Sequence, residues 1–120
     1  MGRANFITHR DRRILHIDFT NCSPEEFRAG MTETQQTIAA EPLGSVLTFT
    51  DFTGLRIDSG ISAQLSAYAK ANKPYVRAAA LLGIEGINRL LLSGVALFSK
   101  RDLRVFDSRE DALEWLSGMQ

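Results

Sequence analysis

The stretch from Ser45 to Gly60, SVLTFTDFTGLRIDSG, constrains the fold most. Ser45–Asp51 is rich in Val, Leu, Phe and Thr and reads as a buried strand. A turn follows at Thr53-Gly54, and a helix opens near Asp58-Ser59-Gly60. A strand that hands the chain to a helix through an acidic loop belongs in an open α/β sheet. In such sheets, ligands and modifying groups meet the protein at the carboxyl ends of the strands.

The flanking segments extend the pattern. Asn5–His9 and Arg13–Phe19 are two short strand signals around the polar turn Arg10-Asp11-Arg12, and together they read as an antiparallel hairpin. In the second, Ile14, His16 and Asp18 share one face, and Leu15, Ile17 and Phe19 share the other. Ser23-Pro24-Glu25-Glu26 starts a helix, with Ser at the N-cap, Pro at the first helical position and Glu placed for a capping box. Its apolar stripe is Phe27, Met31 and Ile38, and Pro42 and Gly44 stop it. The second helix carries Ile61, Leu65, Tyr68 and Ala69 on one stripe and ends near Asn72, before Pro74. Val76–Gly83 is a near-continuous apolar run, as a strand covered on both faces would be. A third helix is expected over Glu85–Phe98, a short strand over Leu103–Asp107, and a last helix over Ser108–Leu116 with Ser108 as N-cap and Asp111 reaching back. Ala112, Trp115 and Leu116 form its buried side. The order β-β-α-β-α-β-α-β-α predicts right-handed crossovers and a mixed, mostly parallel sheet that begins with an antiparallel hairpin. No internal repeat, low-complexity tract or linker divides the chain, so residues 1–120 read as one domain.

Composition narrows the function classes. Fourteen basic and fourteen acidic residues cancel, which leaves no general field for nucleic acid or an anionic membrane. Arg10, Arg12 and Arg13, and Lys100, Arg101 and Arg104, form two basic clusters interrupted by acids, and they read as solvated turns. The one cysteine, Cys22, cannot form an internal disulfide, which suits a reducing, cytoplasmic setting. No stretch reaches the roughly 20 apolar residues of a membrane span, and no signal-peptide run opens the chain. His9 and His16, expected on the two adjacent hairpin strands with a cross-strand pair as one arrangement, lack the companions of a metal site. No cofactor and no Gly-x-Ser-x-Gly elbow is indicated, and the expectation is a non-enzymatic domain.

Four segments carry a family resemblance: Leu47–Gly54 (LTFTDFTG), Ile57-Asp58-Ser59-Gly60, Asn72-Lys73-Pro74-Tyr75-Val76, and Val105–Leu116 (VFDSREDALEWL). Through them the chain resembles the STAS domain, the sulfate-transporter and anti-sigma-factor-antagonist family, and within it the SpoIIAA-like branch of small stand-alone bacterial proteins. The resemblance implies a regulatory, protein-binding domain whose partner is a regulatory kinase or an anti-sigma-like protein. In anti-sigma antagonists the loop before the second helix reads Asp-Ser-Ser-Gly, and a serine in it is phosphorylated. Here it reads Asp58-Ser59-Gly60, one serine short, and the role transfers only to Ser59. A phosphate at a helix N-terminus meets backbone N–H groups and the positive dipole end. The competing reading makes Asp58 or Ser59 the N-cap of the helix, worth about 1 kcal/mol.

Two further features complete the candidates. Asp51 and Thr53 follow one strand, and Gly83 and Glu85 follow the next, so in a parallel sheet they reach the same edge and frame either a shallow polar pocket or ordinary turns. The expected third helix has Ile87, Leu90, Leu91, Val95 and Phe98 on one face, with Leu92, Ala96 and Leu97 partly outside it. That excess is either a homodimer or partner interface or burial on two sides. As an alternative function, the sheet layout also resembles the CRAL-TRIO lipid-binding proteins, which implies a small apolar, lipid-like ligand held between the third helix and the sheet.

Overall fold

The computed structural model describes residues 3–56, 60–83 and 102–119. The chain forms a five-stranded sheet in the order β1-β2-β3-β4-β5. β1 (Ala4–His9) and β2 (Arg12–Asp18) pair antiparallel, and β3 (Val46–Asp51), β4 (Val76–Leu82) and β5 (Leu103–Phe106) each add in parallel. The described helices are α1 (Pro24–Ala39), α2 (Ile61–Asn72) and α3 (Arg109–Ser117). The architecture is therefore α/β with a mixed sheet that starts in a hairpin. The expected helix over residues 85–98 lies outside the described residues, together with Glu85, Leu92, Ala96 and Leu97. Asp58 and Ser59 also lie outside them.

Local chemistry accounts for most boundaries. Arg10 and Asp11 both adopt positive φ, 48° and 65°, as in the primed two-residue turns whose twist suits a hairpin. At the start of α1 the Ser23 hydroxyl accepts from the Glu26 amide at 3.2 Å, and the Ser23 amide donates to the Glu26 carboxylate at 2.9 Å. This reciprocal box holds the Glu26 carboxyl below its ordinary value, chiefly through the bond from the Ser23 amide. At α3 the Ser108 hydroxyl accepts from the Asp111 amide at 3.2 Å.

The period of two along the strands divides the core into two layers. Leu15, Ile17, Val46 and Leu81 pack with Phe27, Met31 and Ile38 of α1 and Ile61 and Leu65 of α2. Ile14, Leu47, Phe49, Ala78 and Ala80 pack with Ala112, Leu113 and Leu116 of α3. In the first layer Phe19 meets Phe27 edge to face, with centroids 4.9 Å apart, a geometry worth about 0.5–1.5 kcal/mol beyond burial. Two details differ from the sequence reading. Leu113, not Trp115, completes the buried side of α3, because Trp115 lies half-buried against Phe106. The two histidines lie on the adjacent hairpin strands as expected but do not pair across them: the register sets His9 opposite Arg12 and His16 opposite Asn5. His9 instead reaches Glu114 of α3 at 3.1 Å, and Arg10 binds the same carboxylate oxygen, tying the hairpin tip to the last helix.

Candidate functional site

The carboxyl edge of the sheet is built from a short motif used twice. β2 ends in Asp18-Phe19-Thr20 and β3 ends in Asp51-Phe52-Thr53, with Asp18 and Asp51 in register. In each copy one Asp oxygen accepts from the Thr amide and the Thr hydroxyl. The distances are 2.9 and 2.5 Å at Asp18 and 2.9 and 2.6 Å at Asp51. An Asp closing on the backbone two residues later is a side-chain turn, and it leads the chain off the strand. In each copy the Phe falls inward by alternation. Phe19 and Phe52 are both buried, with ring centroids 5.9 Å apart. The residue after the Thr then takes the left-handed conformation, Asn21 at φ 56° and Gly54 at φ 71°.

Backbone hydrogen bonds carry the pairing past the ends of the strands. The Phe19 amide donates to the Asp51 carbonyl at 3.0 Å, the Asn21 amide to the Thr53 carbonyl at 2.9 Å, and the Arg56 amide to the Cys22 carbonyl at 3.0 Å. On the other side, the Phe52 amide donates to the Leu82 carbonyl at 2.8 Å. Gly83 then sits at φ 74°, so close to Thr53 that a Cβ on it would stand 2.6 Å from the Thr53 nitrogen. Three of the four residues expected at the pocket edge, Asp51, Thr53 and Gly83, thus come together as a tightly packed rim. Glu85 lies outside the described residues. Gly60, the described member of the candidate switch loop, is the N-cap of α2 and supplies no side-chain cap bond. The cap role expected of Asp58 or Ser59 lies outside the described residues.

The polar groups of the rim face the α3 side. There His16 stacks on Phe49, with centroids 5.4 Å apart and planes within 15°. The Arg109 guanidinium lies 5.8 Å from the Phe49 centroid. Burial, and then the Arg109 charge, lower the His16 pKa, while Asp18 and Asp51 pull it back upward. At Asp18 burial pushes the carboxyl up, but the bonds from the Thr20 hydroxyl and amide outweigh it and leave the group below its ordinary value. The sequence reading missed His16. The signal was the matched pentapeptides His16–Thr20 (HIDFT) and Phe49–Thr53 (FTDFT), which the sheet lays side by side.

Among the described residues no group of three His, Cys, Asp or Glu side chains is arranged to hold a metal. Burial raises the Cys22 thiol, the direction that disfavours the reactive thiolate. Among the described residues no helix is long and apolar enough to cross a membrane. On the opposite face of the sheet, α2 and strands β3–β5 border a cavity of about 70 Å³. Comparison with family models, curated proteins and solved structures gives no significant match to this chain.

Proposed function

We propose that the chain is a non-enzymatic regulatory domain that docks a protein partner at the carboxyl rim of its sheet, in the manner of the anti-sigma-factor antagonists it resembles. The rim carries the reading. Asp18 and Asp51 each spend one oxygen on a turn bond, and Gly83 packs onto Thr53, so the edge is a firm polar surface that a protein can rest against. The Asp58-Ser59-Gly60 loop, between this rim and α2, is the segment through which a kinase would modulate docking. A phosphate on Ser59 would stand at the start of α2, where Gly60 brings no side-chain acceptor of its own. A homodimer through Leu92, Ala96 and Leu97 belongs to the same proposal.

Site-specific photo-crosslinking in the source cell tests it. A crosslinker at exposed Thr53 on the rim is compared with one at Leu43, which is 73% exposed and precedes β3 at its other end. A discrete partner band from Thr53 alone, weakened by Ser59→Asp, is expected. Equal bands from both sites, or none from Thr53, would refute rim docking.

The cavity favours a second reading, small-molecule binding. Its 70 Å³ is a fraction of the roughly 300–1,000 Å³ of sites for drug-sized ligands, so this reading applies to a ligand of few atoms.

A further inference from the structure

We infer that the cavity between α2 and the sheet is a binding site for a small neutral molecule with a compact apolar body and one hydrogen-bond donor, which the Asn72 side-chain oxygen accepts. The inference rests on the small-molecule reading and is independent of rim docking, since the cavity lies on the α1–α2 face and the rim's polar groups lie on the other.

The walls set the apolar part. Leu65 and Ala69 come from α2, Ala79 and Leu81 from β4, and Leu103 from β5. The two alanines stand where larger side chains would fill the space. Apart from Thr48 and Thr50, the polar lining gathers at one end, at Tyr68 and Asn72. Asn72 is only 5% exposed, and its Oδ1 has no hydrogen-bond partner. Deeper still, Thr34 of α1 is fully buried, and its Oγ1 also lacks one. Both side chains approach the Tyr68 hydroxyl. Burial raises the Tyr68 pKa, and hydrogen bonding to the Thr34 and then the Asn72 side chain lowers it, while Thr34 Oγ1 and Asn72 Oδ1 themselves are left unsatisfied. Protein interiors satisfy roughly 90% or more of such buried groups, so an orphan acceptor on a residue that lines a cavity calls for a donor.

Volume and charge decide what brings that donor. One water needs only about 10–15 Å³ but also two to four polar partners. The cavity is several times larger than one water requires, and most of its described walls are aliphatic. An engineered apolar cavity of about 150 Å³ takes benzene, so half that volume suits roughly three to four non-hydrogen atoms. The described lining residues include no acidic side chain and so offer an ammonium group no counter-charge, whereas they suit a neutral O–H or N–H. A short-chain alcohol meets all three conditions. Tyr68, Ala69, Val76 and Leu103 keep partial exposure at the margin and mark the way in.

Isopropanol and acetone form the matched probes: both have the same number of heavy atoms, but only the alcohol donates. Each is titrated into the full chain and followed by NMR at the Leu65, Leu81 and Leu103 methyl groups and the Asn72 side-chain amide. Isopropanol is expected to give saturable shifts confined to these groups and to bind about two- to tenfold more tightly than acetone, the range of one net hydrogen bond. Asn72→Leu should abolish that preference, and Ala79→Leu, which fills the cavity, should abolish binding of both. Equal binding of the two probes by the wild-type chain would overturn the inference. So would an absence of saturable shifts, as expected of a cavity that holds only ordered water. The wild-type comparison decides even if a variant fails to fold.

Discussion

Replacing Gly83 with alanine asks whether backbone contact holds the carboxyl rim together. Gly83 has φ 74°, and the left-handed conformation costs a residue with a Cβ about 1–2 kcal/mol. The new Cβ would also stand 2.6 Å from the Thr53 nitrogen and 2.8 Å from its Cα. Those are backbone atoms fixed by the Phe52–Leu82 and Asn21–Thr53 hydrogen bonds, so they cannot rotate aside. Overpacking of this kind adds about 1–3 kcal/mol, for a total of about 2–5 kcal/mol. Gly44 supplies the control. It has φ 66° with nothing within 4 Å of an added Cβ, so Gly44→Ala should cost only the conformational part, about 1–2 kcal/mol. Urea unfolding of both variants measures the difference. With a slope of about 1–3 kcal/mol/M, the excess at Gly83 should lower the midpoint by roughly 1 M beyond that of Gly44→Ala. If the two variants lose the same stability at unchanged slope, the Gly83–Thr53 contact contributes nothing and the rim is not held in this way.

Two further outcomes follow from the packing and charges. His16 is held below its ordinary pKa of 6.5 first by burial and then by Arg109, so the unfolded chain binds that proton more tightly. The stability from neutral His16 is present above 6.5 and is lost as pH falls below it, and His16→Gln should flatten the slope of unfolding free energy from about pH 7 to about pH 5. Leu116 is fully buried against the α3 side of the sheet, so Leu116→Ala should cost about 2–5 kcal/mol by chemical denaturation. Val105→Ala, at a position 48% exposed, should stay within about 0.5 kcal/mol and calibrates that measurement.

The candidate site was legible only in part. Asp51, Thr53 and Gly83 could be placed at one edge because consecutive parallel strands bring their carboxyl ends together. Their closeness was not legible, since it depends on Phe52 bonding to Leu82 and on Gly83 adopting a positive φ. The Asp-Phe-Thr repeat stood in plain view, but three residues become a motif only when a register sets Asp18 beside Asp51. Pairing of His16 with His9 was one arrangement open to two histidines on the hairpin. The two-residue turn at Arg10-Asp11 set the register otherwise. At α2, Asp58 and Ser59 read as caps by residue type, and both lie outside the described residues. Capping preference is a weak signal when three consecutive residues can each serve.

Features that arise between near neighbours follow from the amino-acid order. These are the Ser23–Glu26 box, the Ser108 cap, the alternation of strand and helix, and the inward and outward faces of β2. Each is set by interactions within a few residues, where chain connectivity leaves few alternatives. Three features came from the tertiary structure alone: the union of the two Asp-Phe-Thr ends, the stacking of His16 on Phe49, and the cavity beside which the Asn72 side-chain oxygen is unsatisfied. Those depend on residues far apart in the chain, whose distances are fixed by loop closure and by how completely side chains of two layers fill the space between them.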